Sequence, residues 1–371
     1  MKTAAVVALV ATALCGCRPL AVHPDDPPPV RIQPKWQLQL STPPVLAWLP
    51  EETAQPAYGH DGKIVVAGSE AGEVVAAWSN SGRVLWRFKT EGKIRGAPAI
   101  VGNAVYVGST DGRLYRLDLK SGTLAWDKAY ETVGAITSAP AVSGRRVIFQ
   151  NNENRTYALD SATGEYVWDQ GRPRPESFTI KGEGGPTIGG DTVFAGYEDG
   201  FLAALNLQDG ATLWTRSLAA DARQFVDVDT RPVVSRGVVY AGCFAVGLYA
   251  LGAKNGEVRW LHRGRGIVSP ALGGDTLYVA TGDREVHALD PETGALRWKL
   301  ALGYGVLGPP VARSGHVWIS TGDALLRLDE SDGNAVARLS PSDGQSAPVA
   351  ARGSWIHFVT NSGALVGAQV Y

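Results

Sequence analysis

The chain has 371 residues, and its 35 lysines and arginines nearly balance its 36 aspartates and glutamates, giving a formal net charge of -1. This balance argues against a basic surface for non-specific nucleic-acid binding. A hydrophobic share of 44% excludes a disordered chain, while 45 glycines, 11 tryptophans and a single methionine favour short strands and tight turns over helices.

The N-terminal segment has the pattern of a bacterial lipoprotein signal peptide. An apolar run at residues 4–14 is too short to span a bilayer. It leads into Leu-Cys-Gly-Cys at 14–17, which resembles a lipobox, so we expect residues 1–16 to be removed and Cys17 to carry the lipid. Arg18 stands where an aspartate would favour the inner membrane. The predicted location is therefore the periplasmic face of the outer membrane.

Residues 17–35 are predicted to form the lipidated cysteine and an extended tether. Proline cannot continue a helix, because it lacks the amide hydrogen. The stretch contains Pro19, Pro24, Pro27, Pro28, Pro29 and Pro34. The remainder, residues 36–371, is predicted to be one domain.

Two sequence markers repeat in phase along that domain. The pattern Gly-x-x-x-Trp ends at Trp86, Trp126, Trp168, Trp214, Trp260 and Trp298, and a seventh copy after Gly333 has Ala337 in place of the tryptophan. A proline opens each unit, at Pro56, Pro98, Pro140, Pro186, Pro232, Pro270, Pro310 and Pro348. A period of about 40 residues indicates a repeat architecture.

One unit shows what each repeat contains. Short apolar or alternating segments at residues 98–101, 104–108, 113–118 and 123–128 predict four strands separated by tight turns. Four antiparallel strands in each repeat are typical of a β-propeller blade. The tryptophan is expected to pack between blades, with its N–H bonded to a carbonyl group.

The two ends of the chain complement each other. The last unit, residues 348–371, has room for three strands, and residues 35–40 look like a lone strand with its own Trp36. Joining them predicts an eighth blade that closes the ring without an exposed sheet edge. The predicted fold is therefore all-β: an eight-bladed β-propeller of four-stranded antiparallel blades, closed by the N-terminal strand.

Some polar and reactive residues have structural interpretations. The aspartates before the turns, Asp118, Asp160 and Asp290, are expected to cap turn amides. Cys243 is the one cysteine left after the predicted cleavage, and it lies in an apolar run, so we interpret it as core packing. The six histidines show no metal-ligand spacing.

The repeat carries a family resemblance. Ala-Leu-Asp-x-x-Thr-Gly-x-x-x-Trp, at 158–168 and again at 288–298, resembles the repeat of the PQQ-like propellers. Quinoprotein dehydrogenases of that class have an adjacent cysteine pair, a calcium site and a catalytic aspartate. No adjacent cysteines occur here and no catalytic motif is apparent, so no cofactor is expected.

The chain is more closely similar to the BamB family of the outer-membrane β-barrel assembly machinery. The segment 225–234 contains that family's Asp-Val-Asp-Thr-x-Pro-Val-Val stretch. The segment 178–186 stands where the family has Leu-x-Leu-Arg-Gly-Glu-x-x-Pro, with Phe178, Ile180 and Lys181 as departures from it. In the family these loops contact a periplasmic POTRA domain of BamA. The resemblance implies partner-binding roles for Phe178, Ile180, Lys181, Asp227 and Asp229.

The repeat spacing points to the same loops. Among the connections that follow the six motif tryptophans, the long ones, 18 residues from tryptophan to proline, follow Trp168 and Trp214. They belong to successive blade junctions on one face, so they are predicted to be neighbours that can form a protein-binding patch. The alternative is that both are ordinary loops whose aspartates cap their own turns.

These observations and the resemblance imply a non-enzymatic scaffold lipoprotein of the outer-membrane assembly complex, with BamA as partner. Two other interpretations stay open from the sequence. One is an envelope propeller that binds another protein or a polysaccharide. The other is a small quinoprotein dehydrogenase.

Overall fold

The computed structural model describes residues 31–40, 52–175, 184–303 and 305–371. The predicted signal peptide, the lipid-carrying Cys17 and the tether up to residue 30 lie outside these residues. No helix within the described ranges is long and apolar enough to cross a membrane.

The described residues form eight four-stranded antiparallel sheets, which confirms the predicted eight-bladed β-propeller. In blades 1 to 7, the four strands are paired in chain order. First strands of adjacent blades contact one another, which places them around the central axis, with the fourth strands at the rim. A 3-10 turn, His60–Gly62, follows the first strand of blade 1.

The strands of blades 1 to 4 are β2 (Ala57–Gly59), β3 (Ile64–Gly68), β4 (Glu73–Trp78), β5 (Val84–Lys89); β6 (Ala99–Val101), β7 (Ala104–Gly108), β8 (Arg113–Asp118), β9 (Tyr130–Glu131); β10 (Ala141–Ser143), β11 (Arg146–Asn151), β12 (Arg155–Asp160), β13 (Tyr166–Gly171); β14 (Thr187–Gly189), β15 (Thr192–Gly196), β16 (Phe201–Asn206) and β17 (Thr212–Ser217).

Those of blades 5 to 8 are β18 (Val233–Ser235), β19 (Val238–Cys243), β20 (Gly247–Gly252), β21 (Val258–Arg263); β22 (Ala271–Gly273), β23 (Thr276–Ala280), β24 (Glu285–Leu289), β25 (Leu296–Ala301); β26 (Val311–Arg313), β27 (His316–Ser320), β28 (Leu325–Asp329), β29 (Ala335–Leu339); β30 (Ala350–Arg352), β31 (Trp355–Val359), β32 (Ala364–Val370) and the N-terminal β1 (Ile32–Gln39).

The hydrophobic core lies between neighbouring blades. Val66 and Ala76 of blade 1, for example, pack with Val105, Val107 and Leu117 of blade 2, and all five side chains are fully buried. Burial of apolar area at each junction, about 25 cal/mol per Å², holds the blades together. The second and third strands are therefore apolar on both faces, whereas the rim strands alternate.

Seven of the eight junctions also contain the two halves of the sequence motif. A tryptophan of one blade lies against the motif glycine of the next, so closely that a Cβ there would come within 2.7 Å of the ring. The pairs are Trp36–Gly82, Trp86–Gly122, Trp126–Gly164, Trp168–Gly210, Trp214–Gly256, Trp260–Gly294 and Trp298–Gly333. The indole N–H of each donates to a carbonyl of the same turn at 2.8–3.3 Å. The predicted role of the tryptophans is confirmed.

The seventh repeat lacks the tryptophan for a reason that lies in the next blade. Ala337, in β29, occupies the position that Trp298 has in β25. In blade 8 the third strand is β32, whereas the fourth, β1, comes from the other end of the sequence. The turn that carries the glycine in other blades does not exist there, so a tryptophan at 337 would have no such turn to cover.

The aspartates before the turns cap them, as predicted. The Oδ1 atom of Asp118 accepts from the amides of Lys120 and Ser121, both at 2.9 Å. Asp160 and Asp290 make the equivalent bonds in blades 3 and 6. The capping keeps the turn, and with it the glycine, in place under the tryptophan.

The predicted strand at residues 123–128 is wrong. In blade 2 this segment forms only an isolated bridge, Leu117 to Leu124, and the rim strand β9 is two residues long. The Arg116 guanidinium bonds the Ala125 carbonyl oxygen at 3.1 Å, and the Arg116 carbonyl accepts from the Ala125 amide. This local pairing bulges the chain away from the regular ladder.

The ring closes through β1 and β32, which pair from Ile32–Val370 to Gln39–Ala364. This strand starts four residues before the predicted domain boundary, with a register shift between Pro34 and Trp36. The closure predicted from the two chain ends is confirmed.

A buried histidine ties the closing blade to blade 1. His357 lies between Trp36 and Tyr58, and its Nε2 atom is 2.8 Å from the Ser79 carbonyl oxygen, which also accepts from Trp36. Its Nδ1 atom is 2.6 Å from the Tyr58 hydroxyl. A neutral ring with the proton on Nε2 satisfies both contacts. Burial lowers the pKa of His357 to about 4.

We expect an alanine at Gly210 to destabilise the fold more than an alanine at Gly190. Both glycines have positive φ, +74° and +61°, so each substitution costs about 1 kcal/mol of backbone strain. At Gly210 the new Cβ would also lie 2.6 Å from the Trp168 ring, whereas nothing lies within 4 Å at Gly190. Chemical denaturation should show a loss of about 3 kcal/mol or more for Gly210→Ala. Equal losses would contradict the interlock.

We expect His357→Gln to weaken the acid sensitivity of the fold. Because the folded pKa lies below the unfolded value of about 6.5, protonation favours unfolding. The wild type should lose up to about 3 kcal/mol from this group as pH falls from 6.5 to 4. Glutamine can bond the same two partners without titrating. The free-energy difference between the proteins, measured by denaturation at several pH values, should change over that window and stay constant above it. A constant difference throughout would refute the assignment.

Candidate docking face

The two faces of the disc carry different loops. The connections from one blade to the next emerge on the same face as the links between second and third strands; we call this the connection face. The turns between first and second strands, such as 236–237, emerge on the opposite face, the turn face. Two long connections run from blade to blade on the connection face at their described ends, residues 172–186 and 218–232. We call them the first and second long loops.

The described ends of the first long loop are held by Asn154. Its side-chain N–H groups donate to the carbonyl oxygens of Arg172 and Pro173, and its Oδ1 accepts from the Glu198 amide. Arg172 pairs with Asp199 at 2.6 Å and covers the Phe201 ring at 4.1 Å. The predicted contact residues Phe178, Ile180 and Lys181 lie in the segment 176–183, outside the described residues, so their roles stay predictions.

The second long loop is bonded to the blades on both sides of it. The Val228 amide donates to the Tyr197 carbonyl of blade 4, and the Phe244 amide of blade 5 donates to the Asp227 carbonyl. The Thr230 hydroxyl accepts from the Gly242 amide at 2.8 Å. These bonds hold the root of the loop, residues 226–230, in a defined position.

Cys243 adds a contact that the sequence did not suggest. Its thiol is fully buried, as predicted, and it donates to the Val226 carbonyl oxygen at 3.2 Å. Burial, reinforced by Asp229 and Asp227, raises the pKa of the thiol to about 11. Cys243 therefore stays protonated and acts as a donor that positions the loop, in addition to filling the core.

The two aspartates of the loop point inward. Asp227 is completely buried, and Asp229 is mostly buried, with its Oδ1 lacking a hydrogen-bond partner among the described residues. Burial, reinforced by the Asp227 charge, raises the pKa of Asp229 to about 7. The exposed part of the loop is its tip, where Asp221, Arg223 and Gln224 face solvent.

The two long loops meet at Gly184. A Cβ at this position would overlap the carbonyl oxygen of Asp229, so only glycine allows the backbones to approach this closely. The expectation that the loops are neighbours is therefore met at their described ends.

A cavity of about 1060 Å³ opens between the loops at the central axis. Its wall contains apolar side chains, including Phe244, Ile267 and Leu307, together with a few charged groups, among them Arg231. The described residues contain no group of three or more histidines, cysteines or carboxylates arranged to hold a metal ion. The sequence pattern gave no sign of this cavity, because its lining comes from every part of the ring.

The repeat and the architecture define an eight-bladed propeller of the PQQ-like class. A family model described as outer membrane protein assembly factor BamB matches residues 33–135, 129–264 and 247–368. The chain therefore belongs to the BamB family, and the resemblance noted in its sequence is confirmed.

Individual relatives agree with this assignment. The chain is 32% identical to BamB of Escherichia coli K12 over 277 residues, 72% of this chain and 70% of that protein. It is 31% identical to the Salmonella typhimurium protein over 255 residues, 67% and 64% of the two chains. With BamB of Alkalilimnicola ehrlichii the identity is 32% over 154 residues, so the match spans 40% of that relative's length.

Solved structures show the same fold. BamB from Moraxella catarrhalis superimposes with a TM-score of 0.78 at 21% identity, covering 91% of this chain and all of that one. A quinohemoprotein alcohol dehydrogenase from Comamonas testosteroni gives a TM-score of 0.71 at 14% identity, covering 91% and 76%. At these identities the likeness concerns the fold alone.

We expect Asp229→Asn to stabilise the protein increasingly as pH rises. The folded pKa lies above the ordinary value of 3.8, so the folded state favours the protonated carboxyl. Stability from this group is complete below about pH 4 and is lost as pH rises through 7. The variant, which cannot ionise, should exceed the wild type by a few kcal/mol at pH 8 and by little at pH 4. Denaturation at both pH values tests this; a variant less stable than the wild type at pH 8 would contradict it.

Proposed function

We propose that this protein is an outer membrane protein assembly factor that works as a non-enzymatic scaffold. Its membership of the BamB family supports this, since its relatives are named for that role. In this proposal Cys17 carries the lipid anchor and residues 17–35 tether the propeller to the periplasmic face of the outer membrane. The propeller then presents its connection face to a POTRA domain of BamA.

The observation that carries the docking proposal is the bonded pair of long loops. Both are 15 residues long, their described parts meet at Gly184, and the second is anchored to blades 4 and 5. A loop held at its root keeps a fixed shape at its tip, which lowers the entropy that binding must overcome. The connection face therefore has a preorganised projection suited to a protein partner.

The proposal divides the predicted contact residues by position. Asp227 and Asp229 are enclosed, so they contribute by shaping the second long loop from within. The exposed Asp221, Arg223 and Gln224 are placed to touch the partner directly. Phe178, Ile180 and Lys181 of the first long loop are retained as proposed contacts.

A charge exchange at the tip tests the docking surface. We expect the double variant Asp221→Lys, Arg223→Glu to recover about tenfold less BamA from gently solubilised envelopes than the wild type. The exchange would bring like charges face to face across the interface, which costs binding energy. Both positions are exposed and the net charge is unchanged, so folding should be unaffected.

The matched control exchanges the same charges on the turn face. Asp191 and Arg236 are exposed in the first turns of blades 4 and 5. Asp191→Lys, Arg236→Glu should recover BamA at the wild-type level. Equal recovery by both variants would refute the loop assignment. Failure of the wild type to recover any assembly-machinery protein would refute the scaffold function itself.

A further inference from the structure

The central cavity contains an arginine that has no counter-ion among the described residues. Four charged side chains line the cavity: Arg95, Asp229, Arg231 and Asp323. Arg95 pairs with Glu70 at 2.6 Å, and Asp323 accepts from the Thr321 hydroxyl at 2.6 Å. The Arg231 guanidinium makes no hydrogen bond or ion pair with any described residue, although its backbone amide bonds Ser269.

An arginine in this position is costly unless something pairs with it. Arg231 precedes β18, the axial strand of blade 5, and is largely enclosed, so that burial lowers the pKa of its guanidinium with no carboxylate opposing the shift. Loss of hydration around a charged group costs free energy that an anionic partner restores. The Asp229 carboxyl in the same cavity does not fill that role, since no interaction joins the two side chains.

The rest of the wall is suited to an apolar body. Phe244, Ile267, Val306 and Leu307 line the cavity, and Val306 is 83% exposed. A concave, mainly apolar space with a few orienting polar groups is the usual form of a small-molecule site. The volume of about 1060 Å³ is ample for a small organic molecule.

We propose that the central cavity binds a small organic anion, with Arg231 paired to its carboxylate and its apolar body against Phe244 and Val306. The guanidinium offers parallel N–H groups that match a carboxylate. This site lies at the axis and does not depend on the docking role proposed for the loop tip.

Two probes of the same shape test the proposal. 1-Naphthoate has a carboxylate on a naphthalene ring, and 1-naphthamide has a neutral amide in its place. Calorimetric titration of the purified full-length protein should show one naphthoate site, with affinity at least tenfold above that for naphthamide, because bonds between charged groups are the stronger ones. Equal affinities, or no binding of naphthoate, would overturn the proposal.

Variants assign the effect to the arginine. Arg231→Gln should weaken naphthoate binding about tenfold or more and leave naphthamide unchanged, while Arg231→Lys should fall between. Arg236→Gln, on the turn face, should match the wild type. In the wild type, the NMR signal of the Arg231 side-chain N–H should shift with naphthoate and not with naphthamide. This measurement uses the wild-type protein, so it does not depend on whether a variant folds. A stationary signal, or unchanged naphthoate binding in a folded Arg231→Gln protein, would refute the assignment.

Discussion

The stacking of a tryptophan on a glycine across seven of the eight blade junctions is the contact on which this ring depends. The indole fills the space over the next blade's turn, and its N–H bonds a carbonyl of that turn. The two residues depend on each other. Any side chain in place of the glycine would occupy the space of the indole, and without the tryptophan the turn would be exposed. The glycine and the tryptophan of one motif are close in sequence, but each of them contacts a different neighbouring blade.

That relation explains both regular and irregular features. The spacing between successive motif tryptophans varies from 38 to 46 residues, whereas the glycine and the tryptophan of one motif are always four residues apart. Ala337 breaks the motif only where blade 8 has no such turn to offer. At the seam the missing covalent link is replaced by β1–β32 pairing, by Trp36 and by His357 of blade 8, whose neutral ring bonds Ser79 and Tyr58 of blade 1.

The sequence was sufficient to predict the fold because its markers report contacts that recur. Blade number, closure, the tryptophan role and the aspartate caps all rest on repeated residues. The rim strand of blade 2 was mispredicted. The bond from the Arg116 side chain to the Ala125 carbonyl oxygen occurs in this blade only, so the repeat pattern of the sequence does not reveal it. The inward orientation of Asp227 and Asp229 could not be predicted either. The two aspartates alternate with valines at 226 and 228, and alternation alone does not show whether the aspartates or the valines face the core. In fact Asp227 and Val228 are both buried, because this segment is an irregular loop between two blades.

The second long loop joins the two proposals on the connection face. Its tip, at 220–224, is exposed, its root, at 226–230, is bonded to the blades, and Arg231 directly after it lines the cavity. Gly184 and Cys243 contact the root of the loop, next to the cavity. Any coupling between an anion at the root and a protein at the tip must act equally in both directions. The buried Asp229, which titrates near neutral pH beside that root, would then influence both.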